Sequence, residues 1–295
     1  MKGNIYMKSI TYWALMMIVA GSVCAADNAT PDKRVTYKEV MGKDGKMTTL
    51  QLHLFAPPGY KPADTRPAII FFHGGDWYGG SPSQFYHQCE YLASRGIVAM
   101  SAEYRVKGRD KTTLKECVKD GKSAVRWVRQ HAKELGIHPD KIAAGGESAG
   151  GQIAAATGTV PGFNEDGEDL KISACPNALV LFCPVFDNGP GGYGHNQVTE
   201  YWKEFSPLHN INEKTPPTIV FLGTNDYYLP VSAAKKYTGL MTEKGRRCDL
   251  KLYDGKQHGF CNFEHKDDYT KVLIEVDRFL ASLRFLKGEP TLQNK

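Results

Sequence analysis

The sequence predicts an α/β fold: a mostly parallel, doubly wound sheet with helices on both faces and a small cap. Three observations predict it. Short, continuous apolar runs recur at 68–72, 97–102, 142–144, 178–185 and 218–222, as strands buried on both faces require. Segments with helical periodicity alternate with them, without linker or internal repeat, which favours one domain of βαβ units over two separate ones. The residues able to do chemistry follow the apolar runs directly, where such a sheet gathers its functional groups at the carboxyl ends of its strands.

Taken in order, residues 1–25 read as a cleaved secretory signal. Lys2 and Lys8 precede the apolar run 10–23, and Val23-Cys24-Ala25 offers a small-residue cleavage site. The run is short for a spanning helix, so no stable membrane insertion is expected after cleavage. A lipoprotein anchored through Cys24 is the competing reading, which Val23 fits poorly. The expected location is therefore secreted or periplasmic. Removing Lys2 and Lys8 leaves 35 basic against 32 acidic residues, and the net charge falls from +5 to +3. With no basic stripe, a nucleic-acid partner is not expected. Six cysteines remain: Cys89, Cys117, Cys175, Cys183, Cys248 and Cys261. An even set in an oxidising compartment permits disulfides without choosing their pairing. Cys183, inside an apolar run, reads as a buried thiol. No cysteine or histidine spacing points to a metal, and no cofactor is implied.

Residues 26–46 read as a polar, irregular tether, and 47–287 as the folded catalytic unit. Residues 47–55 alternate apolar and polar (Met47, Leu50, Leu52, Leu54), the pattern of an early antiparallel strand. After the apolar run 68–72 comes His73-Gly74-Gly75-Asp76-Trp77. A helix over 84–95 stops at Gly96, and a strand follows at 97–102. Residues 114–135 form a long amphipathic helix with Val118, Ala124, Val125 and Val128 inward. Residues 187–212, rich in glycine and aromatics with no clear period, suit a cap or substrate loop. A strand at 218–222, a helix at 231–244, a strand at 249–253 and an amphipathic helix at 267–286 complete the unit. Residues 288–295 read as a flexible tail.

The densest chemical signal is Gly146-Glu147-Ser148-Ala149-Gly150, a G-x-S-x-G pattern between an apolar run and an alanine-rich helix. A serine on such a turn is lifted above the sheet. The glycines two before and two after it allow a close backbone approach that a Cβ would block. The Ala149 amide then points at any oxyanion formed there. Asp226, after the strand at 218–222, also fits a turn or helix cap; His258, after the strand at 249–253, also fits a plain loop. Their joint occurrence with Ser148, in the order Ser, Asp, His and each after a strand, separates them from those roles. The implied chemistry is nucleophilic: His258 takes the Ser148 proton, and Asp226 holds the imidazole in one tautomer and stabilises its cation. The Gly74 and Gly75 amides would join Ala149 in an oxyanion hole, with His73 anchoring their loop.

These motifs resemble the α/β-hydrolase superfamily, specifically the hormone-sensitive-lipase-like carboxylesterases and secreted carbohydrate acetylesterases. Further matching segments are 101–105, Ser206-Pro207-Leu208, Pro230 and His258-Gly259-Phe260, so the resemblance covers nearly all of 67–260. Two departures stand out: Asp76 occupies the place of a third glycine, and Glu147 that of an aspartate. The resemblance implies a serine esterase acting on a small ester or an acylated oligosaccharide. Export favours removal of acetyl or other short acyl groups from carbohydrate. Asp76, Trp77, Tyr78, Glu147 and Tyr227 are the candidate substrate contacts. A serine exopeptidase or lactonase of the same fold, or a non-catalytic ligand-binding relative, are the alternatives; loss of one of the three key residues would mark the last, and all three are present.

Overall fold

The computed structural model of the chain describes residues 29–42 and 45–293. The expected signal, including Cys24, lies outside them. Eight strands form one sheet: β1 (Lys33–Met41), β2 (Met47–Phe55), β3 (Arg66–Phe72), β4 (Val98–Ala102), β5 (Ile137–Glu147), β6 (Ala178–Phe182), β7 (Thr218–Gly223) and β8 (Cys248–Tyr253). Their spatial order is β1-β2-β4-β3-β5-β6-β7-β8. β2 runs antiparallel to both β1 and β4, while every pair from β4 through β3, β5, β6 and β7 to β8 is parallel. The helices are α1 (Tyr86–Ser94), α2 (Lys107–Asp110), α3 (Leu114–Gln130), α4 (Ala149–Thr159), α5 (His195–Val198), α6 (Trp202–Phe205), α7 (Val231–Glu243) and α8 (Lys266–Ser282). The expected doubly wound α/β architecture is the one observed.

The strands in the middle of the sheet are continuous apolar runs because helices cover both of their faces. Every residue of β4, β6 and β7 is buried. α3 begins with a capping box, in which Thr113 and Glu116 satisfy each other's orphan amides. It ends at Gln130 rather than near 135, since residues 131–136 turn back towards β5 and Gly136 takes a left-handed φ of 53°. The stretch 187–212, expected as a cap without period, holds only the single-turn helices α5 and α6 and a 3-10 turn at Pro207–Asn210.

Two boundary expectations are corrected. The tether does not extend to 46, because β1 occupies Lys33–Met41 and pairs along β2. A register shift between Thr36 and Lys38 turns two successive residues, Tyr37 and Lys38, inward, which hides the period of two. Lys38 is buried because its ammonium meets the carboxylate of Asp120 at 2.6 Å and of Glu165 at 2.6 Å. Asp120, on α3, also accepts from the Arg105 amide at 2.9 Å and the Arg105 guanidinium at 2.7 Å. Nor is the tail free over its described part. Arg95 donates to the carbonyls of Lys287 (3.0 Å) and Gly288 (3.2 Å), and Leu292 packs against the core. All six cysteines from Cys89 to Cys261 are free thiols, and Cys183 is fully buried. Among the described residues no helix is long and apolar enough to cross a membrane.

Candidate active site

The site is assembled where β5 ends. Phe72 pairs with Gly146, and Glu147 with Phe182, so β3 and β6 flank the turn that carries Ser148. Ser148 sits at φ 55° and ψ −117°, a conformation costly for any residue with a Cβ. It is held there by its amide bonding to the Phe182 carbonyl (3.0 Å) and by its carbonyl accepting from Val185 (3.2 Å) and Gln152 (3.0 Å). The flanking glycines are required by contact. A Cβ on Gly146 would lie 2.3 Å from the Gly150 carbonyl oxygen, and one on Gly150 would lie 2.0 Å from that of Phe72. Ala149 opens α4, so its N–H has no partner within the helix and is available above the turn.

Asp226, after β7, has a fully buried side chain. Its Oδ1 accepts from the amides of Tyr228 (2.9 Å) and Leu229 (3.0 Å), which aims Oδ2 at His258 Nδ1, 2.8 Å away. His258 thus carries its proton on Nδ1. On the other side of the ring, Nε2 lies 3.3 Å from Glu147 Oε1. Burial pulls the imidazole pKa down, but the Asp226 hydrogen bond and the charges of Glu147 and Asp226 outweigh it, and the result is a raised value. Burial lifts the Glu147 carboxyl, against the pull of His258 and Gln84. Among the described residues no hydrogen bond joins Ser148 Oγ to His258; such contacts commonly tighten only with substrate bound.

Glu147 is itself tied into the loop after β3. Gln84 donates to Glu147 Oε2 (3.1 Å) and to Asn262 Oδ1 (3.0 Å), while its own Oε1 accepts from the Gly74 amide at 2.7 Å. This corrects the expectation that the Gly74 amide serves an oxyanion, for it is already engaged. The next two amides, Gly75 and Asp76, have no protein acceptor among the described residues. His73 behaves as the loop's anchor. Its Nδ1–H donates to the Gly74 carbonyl at 2.8 Å, its ring stacks on Tyr104, and burial lowers its pKa to about 4.

The other candidate contacts divide. Asp76 takes a left-handed φ of 55° and turns its carboxylate to the hydroxyl of Tyr193 in the cap. Trp77, expected at the substrate surface, is instead fully buried; its indole donates to Gln152 at 3.2 Å and packs against Tyr193 and Phe205. Glu147 is likewise buried rather than part of a binding surface. Tyr78 and Tyr227 are exposed, Tyr227 by 90 %. Tyr227 meets Tyr228 edge to face, and Tyr228 meets both Tyr193 and the His258 ring in the same T-shaped manner. Behind Tyr228 lies a cavity of about 280 Å³ lined by Pro184, Phe186, Tyr193, Leu222 and Leu229. Sequence reasoning missed Gln84 and Asn262. Their roles depend on which loops fold onto one another, and no spacing signals that.

The sheet order and the strained serine turn, with an Asp–His pair on the following strand ends, define an α/β-hydrolase. Residues 52–177 match the family described as BD-FAE, and residues 181–281 match the prolyl oligopeptidase family. The apo form of esterase 2 from Thermogutta terrifontis has the same fold with a TM-score of 0.83, at 42% identity over 89% of this chain and 98% of that one. Among curated proteins, the probable isoprenylcysteine alpha-carbonyl methylesterase ICMEL1 of Arabidopsis thaliana is 27% identical over 65% of this chain and 45% of its own length. Esterase LipC of Mycobacterium tuberculosis is 25% identical over 68% of this chain and 53% of its own. The chain spans about half the length of these curated relatives. It belongs to the α/β-hydrolase carboxylesterases, of the hormone-sensitive-lipase-like kind.

Proposed function

We propose that the protein is an exported serine carboxylic-ester hydrolase that removes acetyl or other short acyl groups, with acylated carbohydrate as its natural substrate. The observation that carries the ester-hydrolase reading is the Ser148 turn set beside an imidazole whose Nδ1 is fixed by a buried carboxylate at 2.8 Å. In this mechanism His258 Nε2 leaves Glu147 for Ser148 Oγ and takes its proton as the oxygen attacks the acyl carbon. The tetrahedral oxyanion is received by the amides of Gly75, Asp76 and Ala149. Asp226 stabilises the imidazolium, which returns the proton to the departing alcohol. Water activated by the neutral imidazole then cleaves the acyl-serine.

The short-acyl part is supported by the Thermogutta terrifontis esterase, whose structures include propionate-bound and butyrate-bound forms. The carbohydrate part rests on the exposed faces of Tyr78, Tyr227 and Tyr228, which suit sugar rings, and on the signal-like residues 1–25. A second reading, a serine exopeptidase, is favoured by the match of residues 181–281 to the prolyl oligopeptidase family. The test is hydrolysis of p-nitrophenyl acetate, butyrate and octanoate, then of acetylated xylan oligosaccharides and dipeptidyl amides, by the wild type and Ser148→Ala. Short esters should be cleaved fastest, with a loss on the order of 10⁴-fold or more in the variant. A wild type that cleaves amides but none of these esters would overturn the reading.

A further inference from the structure

One thiol that the proposed reaction does not use, Cys183, lies against its imidazole, and a second, Cys261, lies near that thiol. Cys183 follows β6 and is held at a left-handed φ of 39°; Cys261 follows His258 by three residues. Cys183 is fully buried and Cys261 nearly so, at 4 % exposure. The Cys183 thiol, together with burial, holds the Cys261 thiol well above the ordinary thiol range. The Cys183 sulfur, an Asp226 carboxylate oxygen and a His258 ring nitrogen all lie within 4.8 Å of one another. Three segments distant in sequence thus bring a thiol, a carboxylate and an imidazole to one point, with a second thiol beside the first.

We propose that this cluster is a binding site for a thiophilic divalent cation of the zinc type, with Cys183, Asp226 and His258 as its three protein ligands and water in the fourth position. The donor set of one sulfur, one nitrogen and one oxygen is that of borderline-soft metals and excludes magnesium and calcium, which take oxygen cages. A tetrahedral zinc site with bonds of about 2.0–2.3 Å places its ligand atoms about 3.5 Å apart. The cluster's spacings, from 2.8 Å between Asp226 and His258 up to at most 4.8 Å, bracket that value, so adjustments of about 1 Å by side-chain rotation suffice. Binding expels protons, because thiols ligate as thiolates and the Nδ1–H now shared with Asp226 must leave that nitrogen. The entry path is the His258 side, where the ring is 20% exposed beneath the half-exposed Tyr228.

A cation there would replace the Asp226–His258 hydrogen bond and silence ester hydrolysis from behind the imidazole, without occupying the acyl site. That consequence rests on the proposed function; the binding itself does not. Cadmium is the probe. Titrated into metal-free wild-type protein and Ser148→Ala, Cd²⁺ should produce a thiolate charge-transfer band saturating at one equivalent per chain, displaced by Zn²⁺ and insensitive to Mg²⁺. Cys183→Ser should weaken binding about tenfold or more, since loss of even an outer partner of a metal ligand costs that much. In the wild type, the same Zn²⁺ titration should depress kcat on p-nitrophenyl acetate with KM unchanged, and a chelator should restore it. If the wild type shows no stoichiometric Cd²⁺ band, the site does not exist, whatever the variants do. Binding without inhibition would leave the site in place and count against His258 as the base.

Discussion

Replacing Glu147 by Gln should move the acid limb of the pH–activity profile down by about 1–2 pH units. His258 stands between two carboxylates, with Asp226 Oδ2 at 2.8 Å from Nδ1 and Glu147 Oε1 at 3.3 Å from Nε2. Their combined pull raises the imidazole pKa above its ordinary 6.5 in spite of burial. A raised value means that the cation persists to higher pH, whereas the base that accepts the Ser148 proton must be neutral. Activity should therefore climb through a limb lying above the usual histidine range. At 3.3 Å, a full charge at an effective dielectric of about 20 gives an attraction of about 5 kcal/mol as a ceiling. Glu147 spreads its charge over two oxygens, and Gln84 holds one of them at 3.1 Å, so the lower part of the usual 1–3 unit range applies. Gln keeps the volume and the Gln84 contact while deleting the charge. The assay is kcat/KM for p-nitrophenyl acetate from about pH 4 to 9 in wild type and variant. The raised pKa of Glu147 itself supplies the counter-case: were its carboxyl protonated throughout that range, Glu147→Gln would leave the limb in place. An unmoved limb would refute the two-carboxylate account.

Gly150→Ala places a Cβ 2.0 Å from the Phe72 carbonyl oxygen and 2.3 Å from that of His73, both backbone atoms with nowhere to go. It should cost about 3 kcal/mol or more, a fall in Tm of roughly 6–12 °C by calorimetry. Asp120→Ala strips the buried Lys38 and the Arg105 guanidinium of one of their two shared carboxylates, the other being the less buried Glu165. Breaking such a buried network should cost about 3–5 kcal/mol, read as a lowered urea midpoint with unchanged slope. Tyr193→Phe removes the hydroxyl that faces the Asp76 carboxylate. With the oxyanion loop untied from the cap, kcat/KM should drop about tenfold or more on short esters while Tm barely changes. An equal loss of both would make Tyr193 a packing residue only.

What could be read from the sequence is what local chemistry dictates. The buried strands announce themselves as apolar runs because few polar residues survive between two helical layers; Ser101 and Thr218 do so by donating to the carbonyls of Pro82 and Pro216. The Ser148 turn is visible because its backbone geometry needs particular glycines at particular distances. β1 escaped because its bulge breaks the alternation that periodicity depends on, and because its buried Lys38 looks like a surface residue until Asp120 is placed beside it. Trp77 was misread for a similar reason: an aromatic beside a glycine-rich loop reads as a binding surface, yet Gln152 draws its indole inward. The engagement of Gly74 by Gln84 rests on a contact between loops that neither motif encodes.

The bulged edge of β1 also bears on how concentrated this protein can become before its molecules associate. An open sheet ends in unpaired amides and carbonyls, which another chain can extend unless something interrupts the ladder. Here the interruption falls in the middle of the strand, where Tyr37 is left without a cross-strand partner and Lys38 points inward. The opposite edge, β8, carries Asp249 and Lys251, whose charges are already matched by Arg247 and by Glu275 on α8. A neighbouring molecule adding a strand at one edge would meet a broken register, and at the other a row of ion pairs. The same Lys38 that looks costly as a buried charge thus guards against edge-to-edge stacking, and an apolar replacement chosen to strengthen the core would remove that guard.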